Sequence, residues 1–88
     1  MILSNMSDLL SVTVRDRKGV VWEGEATAVT GKNVAGPFDV LPQHSNFISI
    51  ISKKLVVKTA DKKIREFNVD SGILQVREGK VMIYLGVK

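Results

Sequence analysis

His44 is the chain's one histidine, with Ser45 beside it and Ser49 five residues on. A histidine can act as a base toward a serine hydroxyl and make it a nucleophile, but only when a third group orients the base. No serine here sits in a strand-to-helix elbow, and there is no cysteine to activate. His44 therefore reads as a capping, packing or contact residue in a loop. Glu23 and Glu25 lie two apart, so on a strand they point the same way. Such a pair could do acid–base work, yet the apolar residues opposite make it the wet face of a strand. Gly31-Lys32-Asn33 resembles the end of a phosphate loop. It lacks the earlier glycine, the Ser/Thr after the lysine and a following helix, so it reads as a turn. Zero cysteines and a single histidine exclude cysteine zinc sites and multi-histidine metal sites. No cofactor, metal or small-molecule substrate is expected, and no catalytic residue is assigned.

The other chemical feature is charge. The chain carries 13 Lys+Arg against 9 Asp+Glu, a net charge of +4. Six of those cations (Lys53, Lys54, Lys58, Lys62, Lys63 and Arg65) fall within one stretch whose only acid is Asp61. This reads first as a solvated hairpin whose lysines discourage edge-to-edge pairing. A docking surface for an acidic partner or anionic headgroups is the functional alternative. A basic β-domain also admits the reading of a small barrel that binds single-stranded nucleic acid. That reading needs exposed aromatics interleaved with cations on one face. Trp22 and Phe67, among the aromatics, sit instead at positions that look buried.

Positioning comes from strands. The 88 residues are 44% hydrophobic, enough for one core but not two. No apolar run approaches the ~20 residues of a membrane span, and the first residues lack a secretory pattern. Residues 1–9 are expected to be a flexible N-terminal segment, and residues 10–88 one β domain. Leu10, Val12 and Val14 alternate with polar residues, as in a half-buried strand. Val20, Trp22, Gly24, Ala26 and Ala28 then share one side of a second strand, with Gly24 marking a bulge or a close backbone approach. Residues 31–37 read as a loop, 38–41 as a short strand, and 43–46 as a second loop. Residues 47–52 are apolar nearly throughout, so they read as buried on both sides or irregular. Residues 55–60 and 64–69 flank Asp61-Lys62-Lys63 in hairpin grammar. Asp70-Ser71-Gly72 reads as a turn into a strand at 73–77, and a last strand alternates from Val81 to Val87. About eight to ten short strands joined by turns predict an all-β sandwich or barrel.

Four segments in register are similar to one family, the epsilon subunits of F-type ATP synthases. They are Gly19-Val20-Val21-Trp22-Glu23-Gly24-Glu25-Ala26, Gly36-Pro37-Phe38-Asp39-Val40-Leu41-Pro42-Gln43-His44, Val69-Asp70-Ser71-Gly72-Ile73-Leu74-Gln75-Val76 and Lys80-Val81-Met82-Ile83-Tyr84-Leu85. The second resembles the family's Leu-Pro-x-His stretch and the third its Gly-Gly-(apolar)-Leu-Glu-Val stretch. The resemblance implies an antiparallel β-sandwich of about ten strands, like the family's N-terminal domain. It also implies a non-catalytic rotor subunit that binds the gamma subunit and the membrane c-ring. Such a subunit couples proton or sodium translocation to ATP synthesis or hydrolysis. The expected location is the cytoplasmic face of a bacterial inner membrane, reached through the complex. Carried over residue by residue, Gly36, Phe38, Val40, Leu41, Pro42 and His44 fall near the gamma and c-ring contact, and Ser49 near gamma. Three positions depart from the family pattern: Pro37 where an acid is common, Asp39 where a second glycine is common, and Ser45-Asn46 where a small residue and proline are favoured. Asp39 is expected to supply the acid from a shifted place. The family's C-terminal helical hairpin would begin where these 88 residues end, so coupling without hairpin-mediated inhibition is expected.

Overall fold

The computed structural model describes residues 9–86. The expected flexible segment at 1–9 falls almost wholly outside them, as do the last two residues of the expected domain. Six strands run in order: β1 (Leu10–Asp16), β2 (Gly19–Asn33), β3 (Gly36–Val40), β4 (Phe47–Thr59), β5 (Ile64–Arg77) and β6 (Lys80–Leu85). The sheet order is β1-β6-β5-β4-β2-β3, and β1 also pairs with β2. Five strands thus close into a ring, and β3 extends from the far half of β2. All the pairings are antiparallel except β1 with β6, which is parallel.

The all-β expectation holds, but the described residues form six strands rather than about ten, three of them (β2, β4 and β5) long, and one pairing is parallel rather than antiparallel. The reason is bulges. On β5, Asp70 and Ser71 stand opposite the single Ser52 of β4, between the pairs Ile51↔Gly72 and Lys53↔Val69. The extra residue switches which side of β5 faces inward, from Val69 before it to Leu74 and Val76 after it. A phase change in an alternating pattern looks like the end of one strand and the start of another. Asp70-Ser71-Gly72 is therefore a bulge inside a continuous strand, not a turn. A second bulge at Thr27 separates the pairs Ala26↔Thr59 and Ala28↔Lys58. Beyond it Val29 becomes the buried residue and Ala28 faces outward. β2 then runs on through Gly31-Lys32-Asn33, and the expected loop shrinks to Val34-Ala35. Bulges bend long strands and raise their twist, which lets five of them wrap into a closed wall.

The core fills the ring. Leu10, Val12 and Val14 of β1 face Ile51 and Leu55 of β4, Leu74 of β5 and Ile83 of β6, all fully buried. Two glycines make room for close approaches. A side chain on Gly24 would meet the Trp22 ring at 2.8 Å, and one on Gly72 would meet the Tyr84 carbonyl oxygen at 2.7 Å. Of the two expectations for Gly24, a bulge or a close approach, the structure has the close approach, and the bulge in this pairing is at Val21, between Val14↔Trp22 and Arg15↔Val20.

Candidate partner-binding surface

The β3–β4 segment carries the residues singled out in the sequence. Gly36 takes φ +120 at the end of the Val34-Ala35 turn, a backbone shape open chiefly to glycine. From it β3 alternates: Phe38 turns inward and is half-buried, Asp39 is exposed, and Val40 is sealed in the core. Asp39 Oδ1 accepts a 2.7 Å hydrogen bond from the Thr30 hydroxyl on the outer side of the sheet. Leu41 is 54% exposed, although a residue of its size usually finds cover. Pro42 is half-buried, and Gln43 takes a positive φ of 71 in the turn. The His44 amide closes that turn by donating to the Leu41 carbonyl at 3.0 Å.

The His44 ring is fixed from two sides. Its Nδ1 lies 2.7 Å from the Ser45 carbonyl oxygen, so Nδ1 carries the proton and donates. The ring also meets Phe47 edge to face at 5.5 Å, and Phe47 meets Phe38 in the same manner at 5.4 Å. A chain of three rings therefore joins the loop to the core. Ser49 faces inward from β4, accepting from Asn33 Nδ2 at 3.1 Å and donating to the Ile50 carbonyl at 3.1 Å. His44 and Ser49 have separate partners and do not form a base–nucleophile pair. The structure thus gathers Phe38, His44 and Phe47 at one end, puts Leu41 and Asp39 on the surface, and withdraws the Val40 side chain into the core.

A second surface is contiguous with this loop, and the sequence reading missed it. Residues 47–52 were expected to be buried on both sides or irregular. Instead they alternate: Phe47, Ser49 and Ile51 face in, while Ile48 and Ile50 are 65% and 70% exposed. Register places Ile50 beside Ile73 and Ile73 beside Tyr84, and in the next row Ile48 beside Gln75 and Gln75 beside Met82. Cross-strand partners share a face, so Ile48, Ile50, Ile73, Met82 and Tyr84 form one outward apolar area over β4, β5 and β6. Isolated exposed apolar residues are ordinary, but a contiguous group of them marks an interaction site. The signal in the sequence was the alternation of Ile48 and Ile50 with Ser49. It was masked because the inward residues Phe47 and Ile51 are apolar too.

The basic stretch occupies the opposite end of the β4–β5 ladder. Phe47↔Val76 ends the ladder near His44, and Lys58↔Ile64 ends it near Lys62 and Lys63. Lys54 pairs with Glu66 at 3.6 Å, both exposed. The tip is tied by Thr59, whose hydroxyl donates to the Asp61 carboxylate and accepts from the Lys63 amide at 3.0 Å. The hydrogen bond from Thr59 holds the Asp61 carboxyl below its ordinary value of 3.8, with help from the Lys63 charge. A cavity of about 290 Å³ opens there between Trp22, Glu25, Lys63 and Arg65. Glu23 and Glu25 lie on exposed positions of β2, and Glu23 accepts from the Thr13 hydroxyl at 3.1 Å. The exposed aromatic Tyr84 belongs to the apolar face, away from the lysine-rich tip. Trp22 and Phe67, the aromatics nearest that tip, are half-buried, so one face does not present the several exposed aromatics among its cations that single-stranded nucleic acid would require.

Residues 9–85 match the family model for the ATP synthase delta/epsilon chain, beta-sandwich domain. An ATP synthase epsilon chain of Sulfurimonas denitrificans is 29% identical over 75 residues, which are 84% of this chain and 58% of that protein. That of Campylobacter jejuni is 28% identical over 79 residues, 89% of this chain and 61% of the other. That of Micrococcus luteus is 27% identical over 75 residues, 84% of this chain and 82% of the other. The chain thus spans about three fifths of the length of the first two relatives. Among solved structures, a chain of the Euglena gracilis mitochondrial ATP synthase (OSCP, F1 and c-ring) superposes with a TM-score of 0.82 at 18% identity, over 89% of this chain and 51% of that one. A chain of the Tetrahymena thermophila mitochondrial ATP synthase central stalk and c-ring gives 0.72 at 13% identity, over 86% and 62%. At such identities these likenesses show the fold alone.

Proposed function

The chain belongs to the ATP synthase delta/epsilon β-sandwich domain family, and from that membership we propose that it is a non-catalytic subunit of the central stalk. In this role it binds the gamma subunit and the c-ring, turns with them, and couples ion translocation to ATP synthesis or hydrolysis. It has no active site of its own. It sits at the cytoplasmic face of the coupling membrane through the complex rather than by inserting into lipid. The observation that carries the proposal is the family match through residues 9–85, which takes in every described strand.

The geometry supports a docking role. A closed β wall is stiff, so its outer face and end loop are held in fixed relation. The apolar face of Ile48, Ile50, Ile73, Met82 and Tyr84 supplies a water-excluding area of the kind that anchors an interface. The loop with Leu41, Pro42 and His44 borders it, braced by Phe38 and Phe47. Gly36, Asp39 and Ser49 support the loop from β3 and β4, and Val40 holds β3 to the core. We assign the face to gamma and the loop to the gamma and c-ring side.

The test is binding of the purified chain to gamma from the same source, with an oligonucleotide control over a salt series. A stoichiometric complex with gamma is expected. Ile50→Asp should weaken it by at least about tenfold, since the lost contact is worth roughly 1.5–3 kcal/mol. It should leave the thermal melt of the free chain within a few degrees. Tight oligonucleotide binding that falls steeply with salt, without a gamma complex, would overturn the proposal.

A further inference from the structure

We propose that Arg77 and Lys80 are a paired cationic contact at the border of the apolar face, and that they recognise a carboxylate on the partner that covers it. This rests on the gamma-docking reading above. The two residues close the β5–β6 hairpin as direct register partners. Between them Glu78 (φ 50) and Gly79 (φ 82) form a tight turn with both central residues at positive φ, the pattern of a type I′ hairpin. Register partners project to one side of the sheet. Both cations therefore stand on the outer face, one row beyond Gln75 and Met82 and two rows beyond Ile73 and Tyr84. Both are exposed.

Like charges directly opposite on neighbouring strands destabilise a sheet. Among the described residues the one ion pair is Lys54 with Glu66, nearer the other end of the ladder. Neither Arg77 nor Lys80 forms an ion pair, not even with Glu78 in the turn between them. Within the described residues this like-charge pair thus stands without an ion-pair partner, beside an outward apolar area. By contrast, the lysine-rich tip carries Asp61 and Glu66 among its cations.

The shape around the pair agrees. Arg77 and Glu78 line two shallow depressions, one of about 310 Å³ shared with Gln75, Lys80 and Met82, the other of about 470 Å³ shared with Asn46, Ile48 and Gln75. The Glu78 amide donates to Asn46 Oδ1 at 2.9 Å, which ties this corner to the His44 loop. A partner surface laid on Ile48, Ile50, Ile73 and Tyr84 brings its next side chain over these depressions. An aspartate or glutamate there meets the Arg77 fork in paired hydrogen bonds and the Lys80 ammonium beside it. A basic side chain meets two cations there against the one carboxylate of Glu78. The pair therefore selects the partner by charge, while the apolar face supplies the contact area.

The test compares the full chain, Arg77→Gln/Lys80→Gln and Lys80→Arg in binding to purified gamma at two salt concentrations, with melts of each free chain. Carbodiimide coupling, which joins a lysine amine to a carboxylate in direct contact, is applied to the complexes and mapped by mass spectrometry. The double glutamine variant is expected to bind about tenfold more weakly, with a shallower salt dependence. Its free form should melt at the same or a higher temperature, because the repulsion is gone. Lys80 is expected to couple to an acidic residue of gamma, and Lys80→Arg should lose that coupling yet keep its affinity. Unchanged affinity and salt dependence in the glutamine variant would overturn the inference and leave the docking reading standing. A lower melting temperature accompanying weaker binding would make the pair a structural feature and also overturn it. Failure of the unaltered chain to bind gamma would overturn both.

Discussion

Single residues decide matters here when they have no room to move. Gly72 stands 2.7 Å, measured from where a side-chain carbon would begin, from the Tyr84 carbonyl oxygen. Backbone cannot yield as a flexible side chain can. Gly72→Ala should therefore cost about 2–4 kcal/mol in denaturant unfolding through parting of β5 from β6. Gly24→Ala meets only the Trp22 ring and should cost less. Asp61 acts through protonation. Its folded value lies below its ordinary one, because the Thr59 hydroxyl favours the charged form. Such a group stabilises the fold above its ordinary value of 3.8 and loses that contribution as pH falls toward the lower folded value. Melting temperature should decline in that acid window, and Asp61→Asn should flatten the decline there while lowering stability near neutrality.

At the scale of the element, the bulges matter more than the turns. Lys53 sits at the β4 bend with φ 71, where a residue with a side chain is strained. Lys53→Gly relieves that strain and should gain about 0.5 kcal/mol after the entropy of glycine in the unfolded chain is set against it. Lys53→Val should lose about 1 kcal/mol, since a branched side chain fits that backbone worst. Chemical melts of the two variants against the parent would show opposite signs. The same bend joins two parts of β4 with different duties. The first part bears Ile48 and Ile50 on the outward apolar face, and the second bears Leu55 and Val57 in the core. A substitution on the outer face of the first part should change binding more than folding.

For the whole molecule, the closed ring makes the strands depend on one another. β1 is paired on both edges, antiparallel to β2 and parallel to β6. Its contacts join residues far apart in the chain, so folding should be a single slow transition. A domain of this size holds a stability of only about 4–13 kcal/mol. Leu74→Ala, at a fully buried position, should cost about 2–5 kcal/mol. At about 4–8 °C per kcal/mol, its melt should fall by about 8 °C or more. A loss confined to one strand pair, seen as protected amides persisting elsewhere in hydrogen exchange, would count against a cooperative ring.

The sequence by itself determined the all-β class, the single core, the inward alternation of Leu10, Val12 and Val14, the hairpin around Asp61 and the family. Period-two alternation and turn residues are local signals, and the four family segments are contiguous stretches of chain. The number of strands was not local. A bulge shifts the alternation by one residue, and along the chain that shift looks the same as a turn; only the partner strand shows that pairing continues through it. The outward apolar face lay hidden for a related reason. Ile48 and Ile50 look like core residues until β5 and β6 are laid beside them and no other described strand is found over their side of the sheet. Val40 and Leu41 likewise sit in one apolar stretch, and only the tertiary packing puts the first inside and the second on the surface. Arg77 and Lys80 are ordinary flanks of a turn in the sequence. Their pairing across the hairpin, next to an outward apolar face, exists only once the strands have assembled.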